Sequence, residues 1–349
     1  MIADSSYVKF RWYALVGSIA LVISMWAALA LGAVNLSVMD MFSYLKLLVT
    51  QGSQSAASEY PLISAIVVHI RLPRVIAAIA AGSALAIAGA CTQGLFRNPL
   101  ASPDVLGVSA GSSFGAVIAI SSGLSLVHPL WTPIIACVGA LICAMFVFIL
   151  ARNSGSGQTL YLILAGLALS SLLGGATLGV LLFARQYEVS QFVFWTMGGL
   201  DGRIWEQIIW PLPVIVLASL WLLRRAHWLN ILSIGDEAAH GLGMNVGRCR
   251  FSLLLCASLL TAMSIAIAGP IGFIGLMVPH LVRMLTGANH ISLLPLSALF
   301  GAIFLLICDL IGRYIIAPYE IKAGIITAIV GGVYFLWLVV RVQKQGRLL

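Results

Sequence analysis

Charged residues are scarce in this chain, at 9% of 349 positions against roughly 25% in soluble domains. With 61% hydrophobic residues and a mean hydropathy of +1.07, that scarcity excludes an ordinary soluble domain. Metal and redox frameworks are missing too. Cys91, Cys137, Cys143, Cys249, Cys256 and Cys308 lie mostly within apolar runs and form no C-x-x-C pair. The six histidines are scattered and no H-E-x-x-H occurs. Charge is absent from the middle of the apolar runs, except where a boundary is drawn around Asp309. A charge at membrane depth costs about 2.5 to 3.5 kcal/mol and usually marks an ion or proton relay, so its absence argues against an ion-coupled secondary transporter. No catalytic constellation at membrane depth is visible, which argues against a membrane enzyme. The net charge of +8 reads as loop bias on one side of a membrane, with no nucleic-acid partner expected.

What the chain does contain is a series of uncharged runs of spanning length, which implies an all-α integral membrane protein forming a single domain over residues 1–349. The run Trp12 to Val34 exceeds a signal-peptide core and reads as a retained span. The 47-residue run from Val105 to Ala151 is too long for one crossing, and His128-Pro129 near its middle predicts a turn. A second break is expected at Gly269-Pro270, leaving Ile271 to Leu281 too short to cross unless packed inside protein. About ten spans follow, with both termini on the cytoplasmic side because Arg341, Lys344 and Arg347 cluster at the end. Under that topology the inner segments carry the whole net charge and the outer ones balance, which leaves Arg71, Arg74 and Arg313 on the disfavoured face.

Two stretches echo each other 180 residues apart, ALAIAG (Ala84 to Gly89) and SIAIAG (Ser264 to Gly269), with Pro99 matching Pro279. Because the topology runs these helices in opposite directions, the echo suggests an inverted repeat with halves at about 60–200 and 240–349. Small residues are dense around Gly82 to Gly89 and again at Gly174, Gly175 and Gly179. Helix packing and a smooth transport path both demand such residues, and the sequence does not separate them. SGSGQT (Ser154 to Thr159) lacks the lysine of a phosphate-binding loop and reads as a turn, so no ATPase is expected here. Within the polar segment 224–250, Asp236 and Glu237 suit the start of a short exposed helix that Gly241 and Gly243 would end.

RLPR (Arg71 to Arg74), RNPLASPDVLGVSAG (Arg97 to Gly111), WTMGGLDG (Trp195 to Gly202), GDEAAHGLG (Gly235 to Gly243) and GPIGFIGLMVPHLVR (Gly269 to Arg283) occur in that order. Together they resemble the permease subunits of type II ABC importers, which carry ferric siderophores, haem or vitamin B12. The resemblance covers nearly all of the chain beyond about residue 60. It implies a non-enzymatic subunit of a bacterial inner membrane importer, with no cofactor of its own. Its expected partners are a second permease subunit, the same or homologous, two ATPase subunits that use ATP and magnesium, and a periplasmic or lipid-anchored binding protein. Carried over by residue, it makes Arg71, Arg74 and Arg313 outward contacts for glutamates of the binding protein. It makes Gly235, Asp236, Glu237, Ala238, Ala239, Leu242 and Gly243 the ATPase-coupling segment. Lys322 stands where the family usually has proline, and Gly332-Val333 replaces a usual Ala-Pro, so the last span is expected to start or kink differently. A ferric siderophore is the expected cargo, with haem or vitamin B12 as the alternative.

Overall fold

The computed structural model describes residues 2–32, 37–151, 158–316 and 319–345. Most of SGSGQT lies outside them, as does Arg347. The described residues are helical, with one isolated bridge between Ile316 and Tyr319. The apolar helices are labelled α1 (Ile2–Ala30), α2 (Leu72–Phe96), α3 (Val108–Ser121), α4 (Trp131–Ala151), α5 (Gln158–Phe183), α6 (Pro211–Arg224), α7 (Val246–Ala268), α8 (Ile274–Thr286), α9 (His290–Tyr314) and α10 (Ala323–Gln345). By length and composition eight helical stretches can cross a membrane, while α3 and α8 are shorter apolar helices. Both expected breaks are present, between Val127 and Trp131 and between Ala268 and Ile274. Helices Val38–Gln51, Ser53–Glu59 and Ala226–Ile234 are additions that no long apolar run announced.

The centre of the molecule is α2. Pro73 sits in its first turn, directly after the π-helical turn Val67–Arg71, whose carbonyls it cannot reach with an N–H. Arg97 ends it in a left-handed conformation (φ +50°), with Asn98 N donating to Gln93 O at 3.2 Å. Helices α7, α8 and α9 pack around it. Ser264 Oγ donates to Ala81 O and Cys91 Sγ to Leu253 O, so α7 runs antiparallel to α2, as the inverted echo requires of its matching helices. Helix α9 is antiparallel to α2 as well, with Asp309 beside Arg74, Gly301 beside Gly82 and His290 beside Gly94.

The glycines fall into two groups. A Cβ at Gly82 would land on the Gly301 carbonyl, and one at Gly89 on the Gly275 carbonyl, so these positions let backbones touch. Gly174, Gly175 and Gly179 of α5 would meet nothing within 4 Å. Only 11% of the α5 span is buried, against 83% of the stretch containing α2. One set packs the chain on itself and the other faces outward.

Between α7 and α8 the backbone is unwound from Gly269 to Phe273, both of which take positive φ. Such a break at membrane depth is viable when its polar groups find partners. Gly199 N donates to Ala268 O at 2.7 Å and Gly324 N to Gly198 O at 3.1 Å, tying the WTMGGLDG loop to the break and to the start of α10. Helix α10 begins directly after Lys322 and runs unbroken through Gly332-Val333. The helix continues there without interruption because glycine and valine both keep the backbone N–H that proline would remove.

Candidate docking and coupling sites

Near the N-terminus of α2, Arg71 closes the π-helical turn Val67–Arg71. The turn's irregular backbone is partly satisfied by Trp205, whose Nε1 donates to Val68 O at 2.9 Å. Arg71 Nη1 donates to Leu29 O at 2.5 Å and Ala30 O at 2.8 Å, the carbonyls left open at the end of α1. Arg74 grips Asp309 with two nitrogens, Nε to Oδ2 and Nη2 to Oδ1, each at 2.9 Å, and donates through Nη1 to Glu320 Oε2 at 2.8 Å. Arg313, one turn beyond Asp309 on α9, brings Nε to 3.3 Å from Asp309 Oδ2, and its Nη1 donates to Ala28 O at 3.3 Å.

These three arginines are buried, which corrects the expectation of exposed outward charges. The reason is the meeting of α1, α2 and α9. A guanidinium enclosed there must be paired and hydrogen-bonded, and Asp309 supplies that at 1% side-chain exposure. Asp309, the acid left at the edge of a span, is thus neutralised by two arginines.

At the other end of α2, the coupling segment has the predicted short helix, Asp236–Gly241, with Asp236 and Glu237 in its first turn. Gly235 (φ +146°) precedes it, and Gly243 (φ +79°) follows as Met244 N donates to Ala239 O at 3.0 Å. The helix is exposed on one side only. Ala239 is fully buried, whereas Leu242 is 66% and Ile234 72% exposed, and Glu237 and Ala238 also face outward. The expectation of a wholly exposed helix is corrected, because Ala239 joins the main core.

Two residues that the sequence reading assigned no role hold this helix in place. Arg97 pairs through Nη2 with Asp236 Oδ1 and donates from Nε to Leu232 O at 2.8 Å, closing a carbonyl at the end of helix Ala226–Ile234. Arg250, in the first turns of α7, donates from Nη2 to the same Asp236 oxygen at 2.9 Å. Arg97 stands inside the quoted RNPLASPDVLGVSAG run, but nothing local connects it to Asp236, 139 positions away.

Lys322 has a partner of its own. Its Nζ lies 2.8 and 2.7 Å from the two oxygens of Asp201 and 5.9 Å from the Phe194 ring centre. Burial alone would raise the Asp201 carboxyl, but the hydrogen bond and charge of Lys322 outweigh it and hold the group below its ordinary value. Among the described residues no cluster of three or more His, Cys, Asp or Glu is placed to hold a metal ion.

Comparison with known proteins identifies the family to which this bundle belongs. The family model described as the FecCD transport family matches residues 20–341. The chain belongs to the FecCD transport family. Within it, the chain is 42% identical over 281 residues to the hemin transport system permease protein HmuU of Yersinia pestis, covering 79% of this chain and 84% of that protein. It is 39% identical over 278 residues to the Fe(3+) dicitrate transport system permease protein FecD of Escherichia coli K12, covering 80% and 86%. It is also 43% identical over 273 residues to the cobalamin import system permease protein BtuC of Halobacterium salinarum, covering 78% and 73%. A metal-chelate type ABC transporter solved in an inward-facing conformation superposes with TM-score 0.80 at 31% identity, over 94% of this chain and 98% of that one. This FecCD protein is a multi-pass ABC importer permease.

Proposed function

We propose that this permease moves a ferric siderophore inward across the bacterial inner membrane, as one of two permease subunits above two ATPase subunits and beneath a periplasmic or lipid-anchored binding protein. The observation that carries the reading is the half-buried helix Asp236–Gly241, fixed by Arg97, Arg250 and Ala239 while Ile234 and Leu242 stay exposed. Two large exposed apolar side chains flanking a helix locked to the bundle suit a partner's groove. On this reading the helix is cytoplasmic, both termini lie on that side, and α3 and α8 complete ten spans in two inverted halves, 60–200 and 240–349. ATP with magnesium binds the separate ATPase. The outward glycines and apolar face of α5 suit the second permease subunit, with the pathway between the two.

The docking role of Arg71, Arg74 and Arg313 belongs to the same proposal. Arg71, Arg74 and Arg313 gather where α1, α2 and α9 meet, and basic groups gathered there would draw acidic residues of a binding protein. Because the guanidinium groups are enclosed, an incoming carboxylate would reach Arg74 by displacing Glu320, whose side chain is 35% exposed. Haem and cobalamin remain the second reading of the cargo, since relatives of similar identity carry those names. Leu242→Asp should abolish co-purification of the ATPase while leaving the permease folded, and retained co-purification would remove the coupling assignment. Uptake of labelled ferric siderophore, haem and cobalamin by cells carrying this system alone decides the cargo.

A further inference from the structure

Helices α6 and α7 run antiparallel, with Cys256 Sγ donating to Ala218 O at 3.4 Å. Following that register toward the end of the pair brings Arg225 opposite Cys249, so Arg224 and Arg225 at the close of α6 lie at the same end as Arg248 at the opening of α7. The Arg225 guanidinium lies 4.4 Å from the Trp228 ring centre and 5.9 Å from that of Trp221, and the two indoles meet edge to face at 6.0 Å. Among the described residues no carboxylate comes within ion-pair distance of Arg224, Arg225 or Arg248, whereas their neighbour Arg250 is paired with Asp236. Within the two turns of α6 before this cluster, Val216, Leu217 and Leu220 are exposed apolar side chains on a helix long and apolar enough to cross a membrane.

Each feature points to the same occupant. Tryptophans mark the headgroup level of a bilayer. A guanidinium held on indoles keeps its in-plane N–H groups free for a phosphate, which matches the arginine fork. We propose that Arg224, Arg225 and Arg248 form a binding site for the phosphate of an anionic phospholipid at the membrane surface. The site lies at the end of the exposed apolar stretch of α6. The leaflet it faces, the cytoplasmic one, rests on the orientation proposed above, but lipid retention can be measured without cargo, ATP or sidedness, so its failure leaves the importer reading intact.

The test reconstitutes the full chain in a mixture of phosphatidylcholine and phosphatidylglycerol and reads retained lipid by native mass spectrometry. The wild type should retain phosphatidylglycerol preferentially, and each arginine replaced by glutamine should weaken that retention about fivefold, the factor expected per basic residue near an anionic surface. Arg225→Lys, which keeps charge but loses the stacked fork, should fall between. Arg224→Gln, at an exposed helix end, guards against misfolding of the Arg225 variants. Equal retention of both lipids by the wild type, or unchanged preference in the triple glutamine variant, overturns the proposal. Displacement of the lipid by an equal concentration of inorganic phosphate would mean a free-anion site, and loss of co-purified ATPase with lipid retention unchanged would mean a protein interface. Either result also overturns it.

Discussion

The two ends of α2 solve the same problem, holding arginines against a carboxylate, in opposite surroundings. At one end Arg74 and Asp309 are 11% and 1% exposed as side chains, and at the other Arg97 and Asp236 are 40% and 38% exposed. A buried pair has lost its water and depends on its partner, while a half-exposed pair is screened by solvent and salt. The first therefore fixes where α1, α2 and α9 meet. The second orients the short helix Asp236–Gly241 at the surface of the bundle.

The largest effect should come from breaking the buried end. Asp309→Asn leaves Arg313 enclosed without its carboxylate and Arg74 with Glu320 alone, and removing one partner of such a buried pair costs about 3 to 5 kcal/mol. Thermal unfolding of the purified permease should show a large drop that added salt does not relieve. A shift as small as that of a surface variant would mean the cluster is hydrated, and the contrast between the two ends would fail.

Next in size is Ala239→Trp. Ala239 is fully buried, so an indole there overpacks the core at a cost of about 1 to 3 kcal/mol. Yield and thermal stability should fall together with uptake. Its neighbour Leu242→Asp should leave stability within about 0.5 kcal/mol, as surface changes do. Equal destabilisation by the two variants would contradict the one-sided burial of the coupling helix.

At the exposed node the effects should be smaller. Arg97→Ala and Arg250→Ala converge on one Asp236 oxygen, so their stability effects should be non-additive, with the Arg97–Asp236 pair worth about 0.2 to 1 kcal/mol and fading in salt. The functional readout is cargo moved per ATP hydrolysed, which should fall in Arg97→Ala and less in Arg97→Lys, which keeps the charge facing Asp236. Strict additivity, with coupling unchanged, would demote the node to surface decoration.

What was legible in the sequence was local. The turn at His128-Pro129, the break at Gly269-Pro270 and the start of the short helix at Asp236 each follow from residues within a few positions. The antiparallel α2 and α7 pair was legible through a repeated pattern. What was hidden depends on distant partners: Arg74 finds Asp309 across 235 positions, and Ala239 is buried by helices that its six-residue segment cannot reveal. An arginine at the mouth of an apolar run reads the same whether it faces water or a carboxylate delivered by another helix. The arrangement around Lys322 was hidden for a related reason, because the departure from proline is visible in sequence while Asp201 is not.

That last pair offers the finest test of how exposure sets the worth of a charge. Lys322 holds the Asp201 carboxyl below its ordinary value, so the pair adds stability above that value and loses it as pH falls through the lowered one. Asp201 is 39% exposed as a side chain, so the contribution is discounted for screening to less than about 1 kcal/mol. Lys322→Met should remove this acid-labile increment without touching Asp309, whose enclosed pairing does not involve Lys322. Thermal stability of the wild type and Lys322→Met should therefore differ by a small constant at neutral pH and converge as the pH falls through the acid range below about 4. Curves that stay parallel to the lowest pH at which the permease remains folded would show that Lys322 acts through packing against Phe194 and Gly199 rather than through its charge.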